Sequence, residues 1–95
     1  MPSTPIHPGE ILADELEEMR ISAAELARAI HVPPNRLTQI IAGKRTISAD
    51  TALRLGKWFG TGPHFWLNLQ KAYELDVAQQ GIGKALDTIE PRRAA

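Results

Sequence analysis

The chain has 95 residues, is 43% hydrophobic and is formally neutral at pH 7, which suits one compact domain with a modest core. It holds no cysteine, so disulfides, thiolate metal sites and cysteine nucleophiles are excluded. No basic segment leads into an apolar run at the start, and no stretch approaches membrane-spanning length, so a cytoplasmic protein without membrane contact is expected.

Five helices and no strands are expected, making the chain all-α. The first opens at His7-Pro8-Gly9-Glu10, with Pro8 at the first helical position and Glu10 placed to favour the helix dipole. Ile11, Leu12, Leu16 and Met19 recur on one side, and acids fill the other. The second helix begins with a capping box, Ser22 accepting from the Glu25 amide while Glu25 reaches back, and Ile21 stapling onto Leu26. Its body runs from Ala23 to Ile30, and His31 follows at a turn position that favours a left-handed residue.

Pro34 is read as the first residue of the third helix, where its missing amide goes unneeded, and Val32 and Leu37 have the spacing of a second staple. Gly43 ends this helix. Ser48 caps a fourth helix through Phe59, with Ala52, Leu55, Trp58 and Phe59 expected to face inward. Gly60 and Gly62 break the chain, and Pro63 starts a fifth helix to about Gln80. Residues 1–80 are thus read as one helical domain, and 81–95 as a flexible tail.

Within Ile21 to Arg45, the second and third helices have the spacing of a helix-turn-helix. Ala27 is small where the two helices must approach, His31 and Val32 make the turn, and Leu37 and Ile40 anchor the third helix from below. This leaves Asn35, Arg36, Thr38 and Gln39 facing outward, where a recognition helix meets a major groove. Arg suits guanine O6 and N7, Asn and Gln suit adenine N6 and N7, and Thr38 offers a hydroxyl or a methyl contact. Lys44 and Arg45, just past the helix, suit phosphates, as does Ser22 at a helix N-terminus, unless it is a plain cap. The competing reading is an ordinary helical hairpin with a polar outer face.

Charge distribution supports the first reading. Residues 1–19 carry Glu10, Asp14, Glu15, Glu17 and Glu18 without Lys or Arg, whereas residues 20–57 carry seven basic groups against Glu25 and Asp50. A phosphate backbone feels that local field and not the neutral total, although solvated helix faces would produce the same pattern. Catalysis finds no support: His7, His31 and His64 fall at turns or helix starts without metal-ligand spacing, and Ser22 and Ser48 are explained as caps. No metal, no cofactor and no enzyme activity are expected.

The fifth helix spreads Phe65, Trp66, Leu67, Leu69, Ala72, Tyr73, Leu75 and Val77 around more than one stripe. A helix apolar on so many sides is deeply buried or shared with a partner, and in a chain this small a homodimer interface at Trp66, Leu69 and Tyr73 is expected.

Three segments together carry a family resemblance: HPGEIL, HVPPNRLTQIIAGKR, and ISADTALRLGKWFGTGPHFWLNLQKAYEL. Across roughly residues 6 to 77 the chain resembles HigA-type antitoxins of the XRE-like helix-turn-helix family. The resemblance implies a five-helix, lambda repressor-like fold, a dimer on double-stranded operator DNA, and autorepression of its own operon. It also implies neutralisation of a HigB-type toxin, a RelE-like ribonuclease that cleaves messenger RNA on the ribosome. Carried over by position, Asn35, Arg36, Thr38 and Gln39 read bases, with Lys44 and Arg45 on phosphates. Pro33 stands where related repressors often have a Ser or Thr cap, removing one hydroxyl–phosphate contact. Two rival readings stay open: a stand-alone XRE-like regulator without a toxin, and a protein-interaction module whose hairpin no longer binds DNA.

Overall fold

A computed structural model describes residues 4–92. Its α-helices are α1 (Pro8–Met19), α2 (Ala23–Ile30), α3 (Pro34–Ile41), α4 (Ala49–Phe59) and α5 (Pro63–Ile82), followed by a 3₁₀ helix, Gly83–Thr88. Among the described residues there is no strand, and no helix is long and apolar enough to cross a membrane.

The helix starts follow local chemistry. His7 caps α1: its Nδ1 accepts from the Gly9 N–H at 2.9 Å, and Glu10 Oε2 accepts from the His7 N–H at 3.1 Å. The reciprocal capping box therefore closes at α1, and α2 begins with Ser22 Oγ accepting from the Glu25 N–H at 3.0 Å. Ser48 Oγ does the same for Thr51 at the start of α4, and Pro8, Pro34 and Pro63 occupy first-turn positions.

Helices α1, α2 and α3 all end on one device. Arg20, His31 and Gly43 adopt positive φ of 57°, 64° and 75°. In each case the next N–H reaches back to the last turn: Ile21 to Leu16, Val32 to Ala27, Lys44 to Gln39, at 2.9–3.1 Å. Arg20 is the surprise, because nothing in its chemistry favours the left-handed region as Gly43 does.

These ends fold the chain around one core of Leu12, Leu16, Leu26, Ala27, Ile30, Val32, Leu37, Ile40, Ile47, Ala52, Leu55 and Trp66. Two glycines let backbones touch. A Cβ on Gly9 would overlap the Ile40 carbonyl, where α1 meets the end of α3, and one on Gly56 would overlap Gly62, where α4 meets the turn before α5. Ile11 is only partly buried and Met19 is 40% exposed, so the α1 stripe narrows to Leu12 and Leu16.

The α4–α5 hairpin revises two expectations. Trp58 lies on the surface at 39% exposure; its place inward is taken by Thr51 and Gly56, beside Ala52 and Leu55. Trp66, expected at a dimer interface, is 1% exposed within the single chain and so belongs to the monomer core. It packs between Phe59 and Phe65, with ring centroids at 5.2 and 5.1 Å. The close Gly56–Gly62 approach lets α5 lie against α4 and turn this side chain inward.

Leu69 is half-buried against the core, and Tyr73 sets its ring edge-on to His7 at 4.8 Å. Helix α5 runs two residues beyond the expected end at Gln80, and the 3₁₀ turn occupies part of the segment read as a tail. From Val77 to the last described residue every side chain is exposed. Residues 93–95 of the tail lie outside the described residues.

Candidate nucleic-acid interface

The helix-turn-helix forms as its spacing requires. Ala27 is fully buried between α2 and its neighbours, His31 makes the left-handed turn, and Val32, Leu37 and Ile40 point into the core. With those anchors inward, α3 turns Asn35, Thr38 and Gln39 outward, all exposed, and leaves Arg36 half-buried at its edge. Pro33 is extended and makes no side-chain cap bond; its carbonyl instead accepts from the Arg36 N–H at 3.0 Å, and Pro34 has no N–H to satisfy.

Hydrogen bonds tie most of this face together. Arg45 Nη1 donates to Gln39 Oε1 at 3.3 Å, joining the loop after α3 to the helix face. Thr38 Oγ1 donates back to the Asn35 carbonyl at 3.3 Å, leaving its methyl free to face a partner. Arg36 Nη1 donates to Asp50 Oδ2 at 3.2 Å, and Arg54 Nε donates to the same oxygen at 3.0 Å. Arg54 Nη1 reaches further, to the carbonyls of Ile30 at 2.9 Å and His31 at 3.3 Å. Lys44 is exposed just beyond Gly43. Ser22 is exposed at the start of α2, and among the described residues no hydrogen bond joins it to the α3 set.

Two residues that support this face escaped the reading of the sequence. Asp50 entered it only as a charge, although its spacing of four from Arg54 is a signal for an ion pair on one helix face. Gln70 is 3% exposed: its Oε1 accepts from the Ile47 N–H at 2.8 Å and its Nε2 donates to Glu74 at 2.9 Å. Bonds from Gln70, and after it Lys71, hold the Glu74 carboxyl below its usual range. A polar residue one turn from Trp66 on an otherwise apolar side was the available sign of Gln70.

The three histidines each take a structural place. His7 is a cap packed on Tyr73, His31 is a turn residue, and His64 is an exposed residue of the first turn of α5. No group of three or more metal-ligating side chains gathers among the described residues.

Comparison with known proteins agrees with this geometry. The model of the helix-turn-helix family matches residues 12–66, which spans α1 after its first turn, through the recognition hairpin, to Trp66. Virulence-associated protein I of Dichelobacter nodosus is 53% identical over 76 residues, 79% of this chain and 70% of that one. An addiction module antidote protein of the HigA family from Coxiella burnetii superposes with a TM-score of 0.91 at 51% identity, covering 95% of this chain and 100% of the other. PA4674 of Pseudomonas aeruginosa, solved in complex with its operator DNA, gives a TM-score of 0.91 at 49% identity over 96% and 98% of the two chains. With its hairpin, its five-helix frame and these likenesses, the chain belongs to the helix-turn-helix family, on the branch of the HigA-type antitoxins.

Proposed function

We infer that this chain is the antitoxin of a type II toxin–antitoxin pair, a sequence-specific repressor of its own operon that also neutralises a HigB-type ribonuclease. The observation that carries the DNA-binding half is the exposed polar face of α3, held on buried Leu37 and Ile40, in a fold about half identical to a protein solved with its operator. Asn35, Thr38 and Gln39 face the groove in this reading, with Arg36 at the edge and Lys44 and Arg45 on phosphates. Ser22 serves as a cap whose open helix N-terminus is positioned for a further phosphate.

Two-fold operator recognition calls for two copies. With Trp66 committed to the core, pairing draws on the apolar side chains that α5 leaves exposed, Phe65, Leu75 and Val77, beside half-buried Leu69 and Tyr73. The toxin half rests on membership of the HigA branch. Co-expression with the product of the neighbouring gene, purified through a tag on one partner, tests it directly. Co-purification with loss of ribonuclease activity supports the pair. A chain that binds its promoter in a salt-dependent gel shift but retains no partner acts instead as a stand-alone regulator.

A further inference from the structure

Arg36 differs from its neighbours on α3 because the fold holds it on an anchored carboxylate. Arg54 grips the last turn of α2 through the carbonyls of Ile30 and His31, at 2.9 and 3.3 Å, and presents its Nε to Asp50 Oδ2 at 3.0 Å. The same oxygen accepts from Arg36 Nη1 at 3.2 Å. Through Arg54 the carboxylate is tied to the α2 main chain, and its same oxygen reaches Arg36 of α3, so one bridge runs α2–α4–α3.

Stability does not explain this bridge. The Asp50 side chain is 57% exposed and those of Arg36 and Arg54 are 27% and 39% exposed, so solvent screens both ion pairs. Its consequence is orientation. An unheld arginine is a long, mobile cation that serves any phosphate. Here one Nη1 donor is occupied and part of the charge is neutralised, and the remaining N–H groups of Arg36 carry no protein partner among the described residues. Held through Nη1, the guanidinium keeps its other N–H donors for a planar acceptor pair, which matches O6 and N7 of a guanine better than a phosphate reached from many directions. Ordering the side chain before contact also lowers the freedom lost on binding.

The geometry points to Asp50 as the positioning residue that sets Arg36 for base readout, and so as a determinant of operator specificity that makes no DNA contact of its own. The inference rests on the reading of α3 as the recognition helix.

The test uses full-length wild type, Asp50→Asn, Arg36→Ala and the double variant. Each is allowed to enrich duplexes from a randomised library, and the pools are sequenced. Helical circular dichroism establishes that each variant is folded. Asp50→Asn should relax preference at the same base pair as Arg36→Ala, by roughly ten-fold, and the double variant should relax it no further than Arg36→Ala alone. A merely structural role would instead blur every position together. The assignment is overturned if Asp50→Asn enriches the wild-type motif unchanged, relaxes a different base pair, or relaxes all positions alike. If the wild type itself enriches no motif, the reading of α3 fails and takes this inference with it, an outcome distinct from the other three.

Discussion

Gln70 of α5 accepts a hydrogen bond from the Ile47 N–H at 2.8 Å, so the helix outside the hairpin holds the loop that leaves the recognition helix. That loop carries Lys44 and Arg45, and Ile47 itself is 3% exposed. Replacing Gln70 by Leu leaves the Ile47 N–H buried without a partner, a loss of about 1–3 kcal/mol. The variant should melt earlier in thermal denaturation and bind all DNA more weakly, with base preference retained.

Glu74 accepts from Gln70 and Lys71, and its carboxyl titrates below its usual value. A carboxylate depressed in the folded state stabilises above its unfolded pKa, and that contribution disappears as pH falls through the folded one. Glu74→Ala should therefore lower Tm near neutral pH and converge with wild type in acid. A Tm difference that persists undiminished in acid would place the effect of Glu74 in packing.

Gly9 and Ala27 are small because backbone or another helix lies against them. Gly9→Ala must push α1 off the Ile40 carbonyl, and Ala27→Leu must part α2 from the rest of the core. Added methylenes at packed sites typically cost ~1–3 kcal/mol. Both variants should lose melting temperature without a change in base preference, measured on the remaining folded protein.

Base and phosphate contacts should separate by mutation. Gln39→Ala is expected to lose roughly 1–3 kcal/mol on the operator and relax preference at one base pair. Lys44→Ala should weaken binding to every sequence and reduce the salt slope by about one. Arg45→Ala should show both effects, because its Nη1 also holds the Gln39 side chain. Titrations of operator and mixed-sequence duplex at several salt concentrations give all three.

Truncating Trp66 should unfold the chain and not merely separate two copies. The indole is 1% exposed, and removing a buried Trp typically costs ~3–5 kcal/mol. Leu75→Ala and Val77→Ala, at exposed positions of α5, should stay folded and weaken self-association. Circular dichroism with analytical ultracentrifugation distinguishes the outcomes, and a folded monomer from Trp66→Ala would return that residue to the interface.

The helix-turn-helix was legible in the sequence because its signals are short-range. Pro34 at a helix start, Ser22 and Ser48 as caps, His31 and Gly43 as left-handed ends, and Ala27 at a crossing each act within a turn or two of backbone. Arg20 ends α1 in the same way, yet its side chain carries no such signal, and its conformation follows from where the chain must go next.

What only the tertiary structure decided lies between residues far apart in the chain. Arg36 meets Asp50 across 14 positions, Gln70 meets Ile47 across 23, and Arg54 meets Ile30 across 24. Helix α5 is the clearest case. An all-round apolar helix has no unique inner face by periodicity, so its sequence left Trp66 open to either core or interface. The approach of Gly56 to Gly62 sets how α5 lies on α4, and that contact turns Trp66 inward while Phe65, Leu75 and Val77 stay outside. Local chemistry determined where helices begin and end and which side of α3 is polar. Packing between distant segments determined which residues hold that face in position, because only a formed core brings them within hydrogen-bonding distance.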